Sequence, residues 1–142
     1  MKALLASLLC ATYLLLAGGT QAAVQEFGPD FSRFTIDVPE GWTAKAIDGG
    51  VQLADQGGTC SLAVTNVKSG GASAEALCKA VVQKSGMQDA KELGKEDGNY
   101  AMSGTRDGVP IVVAVTAEGE LAVVIVMAGD IEKASGPLDS LQ

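Results

Sequence analysis

Apolar and polar side chains alternate with a period of two in the first part of the chain. Phe34, Ile36 and Val38 are separated by polar residues, which is the pattern of a strand with one face or edge in water. A short strand at residues 51–54 and the segment TCSLAVTNV, residues 59–67, follow it across glycine-containing turns. Such short turns connect antiparallel neighbours. The pattern therefore predicts antiparallel strands before residue 68.

The periodicity becomes helical after residue 70. Ala72 or Ser73 is predicted to begin the helix, Glu75 suits its first turn, and Gly86 is suited to end it. The residues that recur at helical spacing are Leu77, Cys78, Val81 and Val82.

Three further strands are predicted in the second half: NYAMSGT, VPIVVAVTA and LAVVIVMA, joined by the turns RDG and EGE. The last two are apolar at nearly every position in residues 111–115 and 121–127, so both faces of the sheet should be covered. The helix can cover only one. The tail DIEKASGPLDSLQ is expected to help with the other, as a helix that starts at Asp130 and is interrupted or restarted at Gly136-Pro137.

These elements predict an α+β fold. A mostly antiparallel sheet of about six strands is expected to carry helices on both faces, as an α-β-α sandwich.

The segment VPEGW predicts a turn that redirects the chain. Pro39 suits the second position of a type I turn and Gly41 the fourth. Trp42 follows directly and is expected to fold back and fill the core rather than bind a ligand, because a large ring among small aliphatic residues is usually buried.

Residues 1–22 have the layout of a cleaved secretory signal peptide: Lys2, an apolar run and a small-x-small site before Ala23. The alternative, a membrane anchor, needs about 20 apolar residues, and the run is shorter. We therefore expect a periplasmic or secreted protein with no stable membrane insertion after cleavage. Residues 23–142 suffice for one compact domain.

The chain has 10 basic and 17 acidic residues and a net charge of −7. Loss of Lys2 with the leader makes it one unit more negative. A surface of this sign repels phosphate backbones and anionic headgroups, so nucleic acid is not an expected partner.

Cys60 and Cys78 remain after the leader is removed. An even number of cysteines in an exported chain predicts one disulfide, which would join the helix to the sheet. Two buried free thiols are the alternative.

The residues predict no catalytic site. The chain has no histidine, which excludes His-dependent nucleophiles and His-containing zinc sites. Ser73 lacks the second glycine of a nucleophile elbow and fits a helix cap. SGGASAE lacks the residues of a phosphate-binding loop. No cofactor is expected, and a hydrolase would need two carboxylates facing each other across a cleft.

Loop carboxylates are the remaining candidates for binding chemistry. They could converge on a hard cation such as calcium, but interleaved Lys91 and Lys95 favour a solvated charged surface, so no metal site is assigned. These carboxylates are Glu92, Glu96, Asp97, Asp107, Glu118 and Glu120.

The order of elements, with VPEGW after the first strand and LDSLQ at the end, resembles the PsbP-like superfamily, in particular its PsbP/DcrB-like exported bacterial members. The resemblance spans residues 31–142, and its local marks are Pro39, Gly41, Trp42 and Ser140-Leu141. It implies an α-β-α sandwich without an active site of its own, used as a binding or assembly accessory.

Two functions are therefore expected. The first is a non-catalytic envelope protein that binds another envelope protein. The alternative is a periplasmic carrier of a small ligand or a calcium-like cation.

Overall fold

The computed structural model of the chain describes residues 23–142, and the predicted leader, residues 1–22, lies outside the described residues. Within that range no helix is long and apolar enough to cross a membrane. The elements follow the chain in this order: β1 (Ala23–Phe27), β2 (Phe34–Val38), β3 (Trp42–Ile47), β4 (Gly50–Asp55), β5 (Cys60–Lys68), α1 (Ala74–Ser85), β6 (Gln88–Glu96), β7 (Asn99–Arg106), β8 (Val109–Glu118), β9 (Leu121–Gly129), a 3-10 turn (Ile131–Ala134) and α2 (Ser135–Asp139).

Seven strands form one antiparallel sheet in the order β3-β4-β5-β9-β8-β7-β6, while β1 and β2 form a separate antiparallel hairpin. The predicted α+β class and antiparallel sheet are confirmed. The predicted count of about six strands is too low, because β1, β3 and β6 lack the apolar runs by which the other strands were found.

The β7–β9 meander has tight turns. Asp107 and Gly108 both have positive φ, 52° and 77°, as a two-residue type I′ turn requires. Gly119 (φ 60°) begins the turn between Glu118 and Leu121. The predicted Asp-Gly and Glu-Gly-Glu turns are confirmed, and they set a register in which β8 pairs with β9 from Ile111 to Glu118.

The core has two parts, one on each face of the sheet. On the front face, residues such as Leu53, Leu62 and Val64 pack with Phe34 and Ile36 of the β1–β2 hairpin and with Ala134. On the back face, α1 packs over β7 and β8. The back cluster consists of Ala74, Cys78, Val82, Tyr100, Ile111, Val113, Val115, Ala122 and Val124.

Strand alternation explains why β9 is apolar at every position. Val124 belongs to the back cluster, whereas its neighbour Ile125 packs against the front cluster. Successive side chains of a strand point to opposite faces, so a strand buried on both sides has no polar alternation.

Helical cover of both faces is not confirmed. The back face carries the 12-residue α1, while the front face is covered by the β1–β2 hairpin and the short C-terminal segment. That segment lies beside β2, where Thr35 and Gln142 exchange backbone hydrogen bonds and Ser140 Oγ accepts one from the Asp37 amide. The tail is divided close to the predicted position: the 3-10 turn ends at Ala134 and α2 begins at Ser135. Gly136 and Pro137 lie in the first turn of α2, where proline is tolerated.

The predicted ends of α1 are confirmed. Ser73 Oγ accepts a hydrogen bond from the Ala76 amide at 3.1 Å, and Gly86 ends the helix with φ 71°. Asp130 precedes the 3-10 turn as predicted, but its side chain makes no capping hydrogen bond.

The VPEGW turn is displaced by one residue from its predicted position. The Trp42 amide donates to the Pro39 carbonyl at 3.0 Å, so Pro39 is the first residue of the turn and Gly41 the third. Gly41 has φ 80°, which the third position of a type II turn requires and which only glycine adopts easily. Trp42 is half-buried and packs against the front cluster.

The predicted disulfide is not formed: Cys60 and Cys78 are free and buried. Cys60 belongs to the front cluster and Cys78 to the back cluster. The sheet lies between them, while a disulfide needs two Cβ atoms about 4 Å apart. Burial raises the pKa of both thiols, so they stay protonated at neutral pH.

Candidate binding surface

One candidate surface is a shallow trough on the front face, at the end of the sheet that carries the β6–β7 and β8–β9 turns. It consists of two grooves of about 390 Å³ and 280 Å³ that share Thr116. The trough crosses the sheet from Gly94 on β6 to Asn66 on β5, and we call it the front trough.

Strand pairing places small side chains on its floor. Gly94 pairs with Ala101, Ala101 with Ala114, and Thr116 with Val123. Paired residues point to the same face, so these side chains form one continuous surface. Thr116 Oγ1 and Asn99 Oδ1 lie 2.6 Å apart in a hydrogen bond at its centre.

The β7 and β8 part of the trough lies beyond the chain's own core, whereas Val123 on β9 packs against the front cluster. Ala101 and Ala114 are half-buried and belong to neither hydrophobic cluster of the described residues. Their neighbours on the opposite face, Tyr100 and Val115, are buried under α1. The strands are therefore apolar on both faces, but the hairpin and the C-terminal segment do not bury this end of the front face.

Exposed hydrophobic side chains mark one end of the front trough. Leu121 is 40% exposed and pairs with Lys68, whose Nζ lies 5.1 Å from the ring centroid of the 48% exposed Phe31. Asn66 fixes the loop beside it by donating to the carbonyl and hydroxyl oxygens of Ser32, at 2.9 and 3.0 Å.

Two carboxylates lie on the same face as the trough. Glu96 pairs with Asn99, and Glu118 pairs with Leu121, so both side chains point to the front. Both are exposed, and within residues 23–142 neither takes part in an ion pair. Asp97 and Glu120 in the adjacent turns add to the negative charge at this end.

A second groove lies on the back face at the beginning of α1. It has a volume of about 670 Å³, and Ser73, Lys95, Asn99 and Tyr100 are among the residues that line it. Volumes of about 300–1,000 Å³ are typical of small-molecule sites. Burial raises the pKa of Tyr100, so its hydroxyl is neutral at physiological pH.

The charges beside this back groove are already paired. Glu75 binds Lys79 Nζ at 2.6 Å and Lys95 Nζ at 2.8 Å. These hydrogen bonds and charges lower the pKa of Glu75 to about 2, and the same partners raise the pKa of both lysines. The Lys95 side chain therefore lies on the back face and does not neutralise the carboxylates of the front trough.

The six candidate loop carboxylates do not converge on one site. Glu92 pairs with Met102 and points to the back face, away from Glu96 and Glu118. Asp107 lies in the β7–β8 turn, at the opposite end of the sheet from the turns that hold Asp97 and Glu120. Within residues 23–142 no group of three or more His, Cys, Asp or Glu side chains is arranged to hold a metal ion.

A polar cluster that the sequence did not predict joins the β4–β5 loop to the C-terminal segment. Asp55 accepts hydrogen bonds from the Thr59 amide at 2.7 Å, the Thr59 hydroxyl, and the Cys60 amide at 2.9 Å. Lys133 Nζ lies 2.7 Å from Thr59 Oγ1 and 3.3 Å from Asp55 Oδ2.

The chemistry of this cluster is structural. Its hydrogen bonds lower the pKa of Asp55 to about 2, the Thr59 hydroxyl contributing most, so Asp55 is a poor general base at neutral pH. The only sequence indication was the loop DQGGTC, in which an acid precedes a glycine turn.

Both edges of the sheet are open among the described strands. β6 is exposed along its whole length and has register shifts on both sides of Lys91 and Glu92. Bulges and charges of this kind prevent pairing with other strands. β3 pairs regularly with β4 and has Lys45 at its middle. Neither edge offers both an apolar contact area and unpaired backbone groups. The front trough, in contrast, has an apolar area beside charged groups.

No protein-family model matches the chain, and no curated protein matches its sequence. The solution structure of cyanobacterial PsbP (CyanoP) from Synechocystis sp. PCC 6803 matches it with a TM-score of 0.54 and 15% identity, covering 85% of this chain and 92% of that one. A crystal structure from Bacteroides thetaiotaomicron VPI-5482 matches with a TM-score of 0.52 and 11% identity, covering 87% of this chain and 48% of that one.

The chain thus spans about half the length of the Bacteroides protein. Identities this low show a shared fold alone. The chain has a PsbP-like fold, as the order of elements predicted.

Proposed function

We propose that the protein is a non-catalytic accessory module of the cell envelope that binds another envelope protein through the front trough. The proposal depends mainly on one observation: half-buried Ala101 and Ala114 belong to neither core cluster, although Tyr100 and Val115 on the opposite side of the same strands are buried. An apolar surface next to polar rims is typical of a binding site for another macromolecule.

Three further points support a non-catalytic role. The chain has no histidine. The carboxylate with the most hydrogen bonds, Asp55, holds a loop. The PsbP-like resemblance implies a binding or assembly accessory without an active site.

The test is native purification of the mature protein from its own envelope fraction, followed by mass spectrometry of intact complexes. We expect a reproducible protein partner in fixed stoichiometry that is missing from a mock purification. Recovery of the protein alone under gentle conditions, at low salt and after mild crosslinking, would contradict the proposal.

The back groove favours a second candidate, a small-ligand carrier, because its volume of about 670 Å³ is in the range of such sites. A bound small molecule would raise the melting temperature by mass action and change the fluorescence of Tyr100, which lines the groove. Trp42 is an unsuitable reporter, since it lies on β3 at the far edge of the sheet.

A further inference from the structure

The charges around the front trough favour a partner of one particular chemistry. We infer that the trough binds a cationic amphipathic segment of another protein, whose small apolar side chains lie on Ala101, Ala114 and Val123 and whose Lys or Arg residues pair with Glu96 and Glu118. This inference rests on the proposed protein-binding function and specifies the partner's chemistry.

The floor of the trough favours an apolar contact that comes close to the sheet. The methyl groups of Ala101 and Ala114 and the absence of a side chain at Gly94 leave room above the strands, and the two grooves that meet at Thr116 provide about 390 and 280 Å³. The polar pair of Thr116 and Asn99 is already hydrogen-bonded, so an apolar segment does not leave it without a partner.

The carboxylates favour a positive segment. Glu96 and Glu118 point to the trough side of the sheet and have no ion pair within residues 23–142. Lys95 binds Glu75 on the back face. Lys68 is on the front face, across Leu121 from Glu118, but its Nζ lies over the Phe31 ring, 5.1 Å from the centroid. A neutral or acidic partner would leave two carboxylates beside an apolar contact without compensation.

Strand geometry sets the spacing of the two charges. Glu96 on β6 lies level with Thr116 on β8, because both pair with Asn99 on the intervening strand β7. Glu118 is two residues further along β8 than Thr116. Strand spacing of about 4.8 Å and a rise of about 3.3 Å per residue place their Cα atoms roughly 12 Å apart. Two basic residues about eight positions apart on a helix span the same distance.

The experiment is site-specific photo-crosslinking in the native envelope. A benzoylphenylalanine replaces Thr116 at the centre of the trough, and in a control protein it replaces Gln52, which is exposed on β4 and points to the back face. Crosslinked segments are identified by mass spectrometry. We expect Thr116, and not Gln52, to crosslink to a segment with at least two Lys or Arg residues and an apolar face.

Charge reversal tests the role of the carboxylates. Glu96→Lys combined with Glu118→Lys should lower the crosslinking yield at Thr116 about tenfold. The control, Glu40→Lys with Glu132→Lys, changes the net charge equally at exposed positions outside the trough and should leave the yield within about twofold. Thermal unfolding of both proteins checks that the fold is retained.

The outcomes separate this inference from the proposed function. Crosslinking to a partner segment without basic residues, or to a second copy of this chain, overturns the cationic segment. Equal loss in both double variants also overturns it, since net charge alone would then control binding. If a partner is purified but the probe at Thr116 crosslinks no more than the probe at Gln52, the trough is not the partner's binding site. If no partner is found at all, the protein-binding function is wrong.

Discussion

Asp55 shows how one side chain can fix the geometry of a loop. Its carboxylate accepts from two backbone amides and one hydroxyl, and Lys133 brings the C-terminal segment to the same point. Hydrogen bonds to the charged form favour ionisation, and the pKa falls from 3.8 to about 2.

This pKa shift predicts acid-sensitive stability. The folded-state pKa lies below the ordinary value, so ionised Asp55 stabilises the fold above pH 3.8, and this contribution is lost as the pH falls through about 2. Asp55→Asn should melt several degrees below the wild type at pH 7, and the difference should shrink toward pH 2. Melting temperatures between pH 2 and 7 measure it.

Glu40→Gln is the matched control for Asp55→Asn, because it removes an exposed carboxylate from the turn before β3. It should follow the wild-type pH profile. A constant difference between Asp55→Asn and the wild type at every pH would show that the charge of Asp55 does not stabilise the loop.

Gly50 is required by close packing rather than by its backbone angle. A Cβ atom at this position would lie 1.8 Å from the Val64 carbonyl oxygen and 2.8 Å from the Thr65 Cα. Gly50→Ala should lower the free energy of unfolding by the upper part of the range of about 1–3 kcal/mol found for overpacked sites. Urea denaturation measures the loss.

Gly94 provides the comparison, since it is also a strand glycine but a Cβ there would meet nothing within 4 Å. Gly94→Ala should change stability by no more than about 0.5 kcal/mol. Equal effects of the two substitutions would contradict the packing explanation for Gly50.

The sequence predicted the roles of single residues well where those roles depend on residues nearby in the chain. Ser73 and Gly86 end α1 as expected, because capping depends on neighbouring backbone groups. The turn at Pro39 was displaced by one residue, since both positions of a proline-glycine turn are compatible with the sequence and the pairing of β3 decides between them. The partners of Asp55 required knowledge of where the C-terminal segment lies.

At the scale of elements, burial decides which strands can be predicted. β2, β5, β8 and β9 have apolar or alternating patterns, and the sequence identified them. β6 is exposed at every position and β1 at all but one; both are strands because a neighbour pairs with them. Hydrogen bonding to a partner strand leaves no local hydrophobic pattern.

The cysteines show that sequence patterns also fail to predict which elements pack together across the sheet. The structure has the alternative of two buried free thiols at Cys60 and Cys78. The sequence does not decide between this state and a disulfide, because periodicity alone does not tell which face of the sheet a helix covers. α1 covers β7 and β8 on the back face, opposite to the side chain of Cys60.

The separation of the thiols predicts the redox state of the purified protein. Both should react with a thiol reagent after denaturation in urea and resist it in the native state, because both are buried and their pKa values are raised. Intact mass measured after purification in air checks this: a mass lower by about 2 Da, with no titratable thiol, would show that the disulfide forms.

At the scale of the whole molecule, the two coverings of the sheet are offset. The hairpin and C-terminal segment pack with β4, β5 and β9 on the front, while α1 packs with β7 and β8 on the back. Near the β6–β7 and β8–β9 turns, the front face of β6, β7 and β8 is therefore not covered by either covering, and it forms the floor of the trough there. The sequence predicted that both faces of β8 and β9 should be covered. It did not predict that the front face of β8 would be covered only in part by this chain.

The front trough was not among the predicted sites because its residues are unremarkable in sequence. Ala101, Ala114 and Thr116 are ordinary strand residues, and only the register of three strands brings them together. Their loop positions make Glu96 and Glu118 candidate cation ligands, whereas the structure places them beside an apolar surface.

The most direct test of the central claim compares two arginine substitutions on opposite faces of the sheet. Ala114→Arg puts a large cation on the floor of the front trough, and Gln52→Arg puts the same residue at an exposed position on the back face. Each protein is purified from its own envelope fraction, and the co-purifying partner is quantified by mass spectrometry. We predict that Ala114→Arg retains its fold but loses the partner, while Gln52→Arg retains both; equal recovery of the partner with a folded Ala114→Arg protein would contradict the front trough as its binding site.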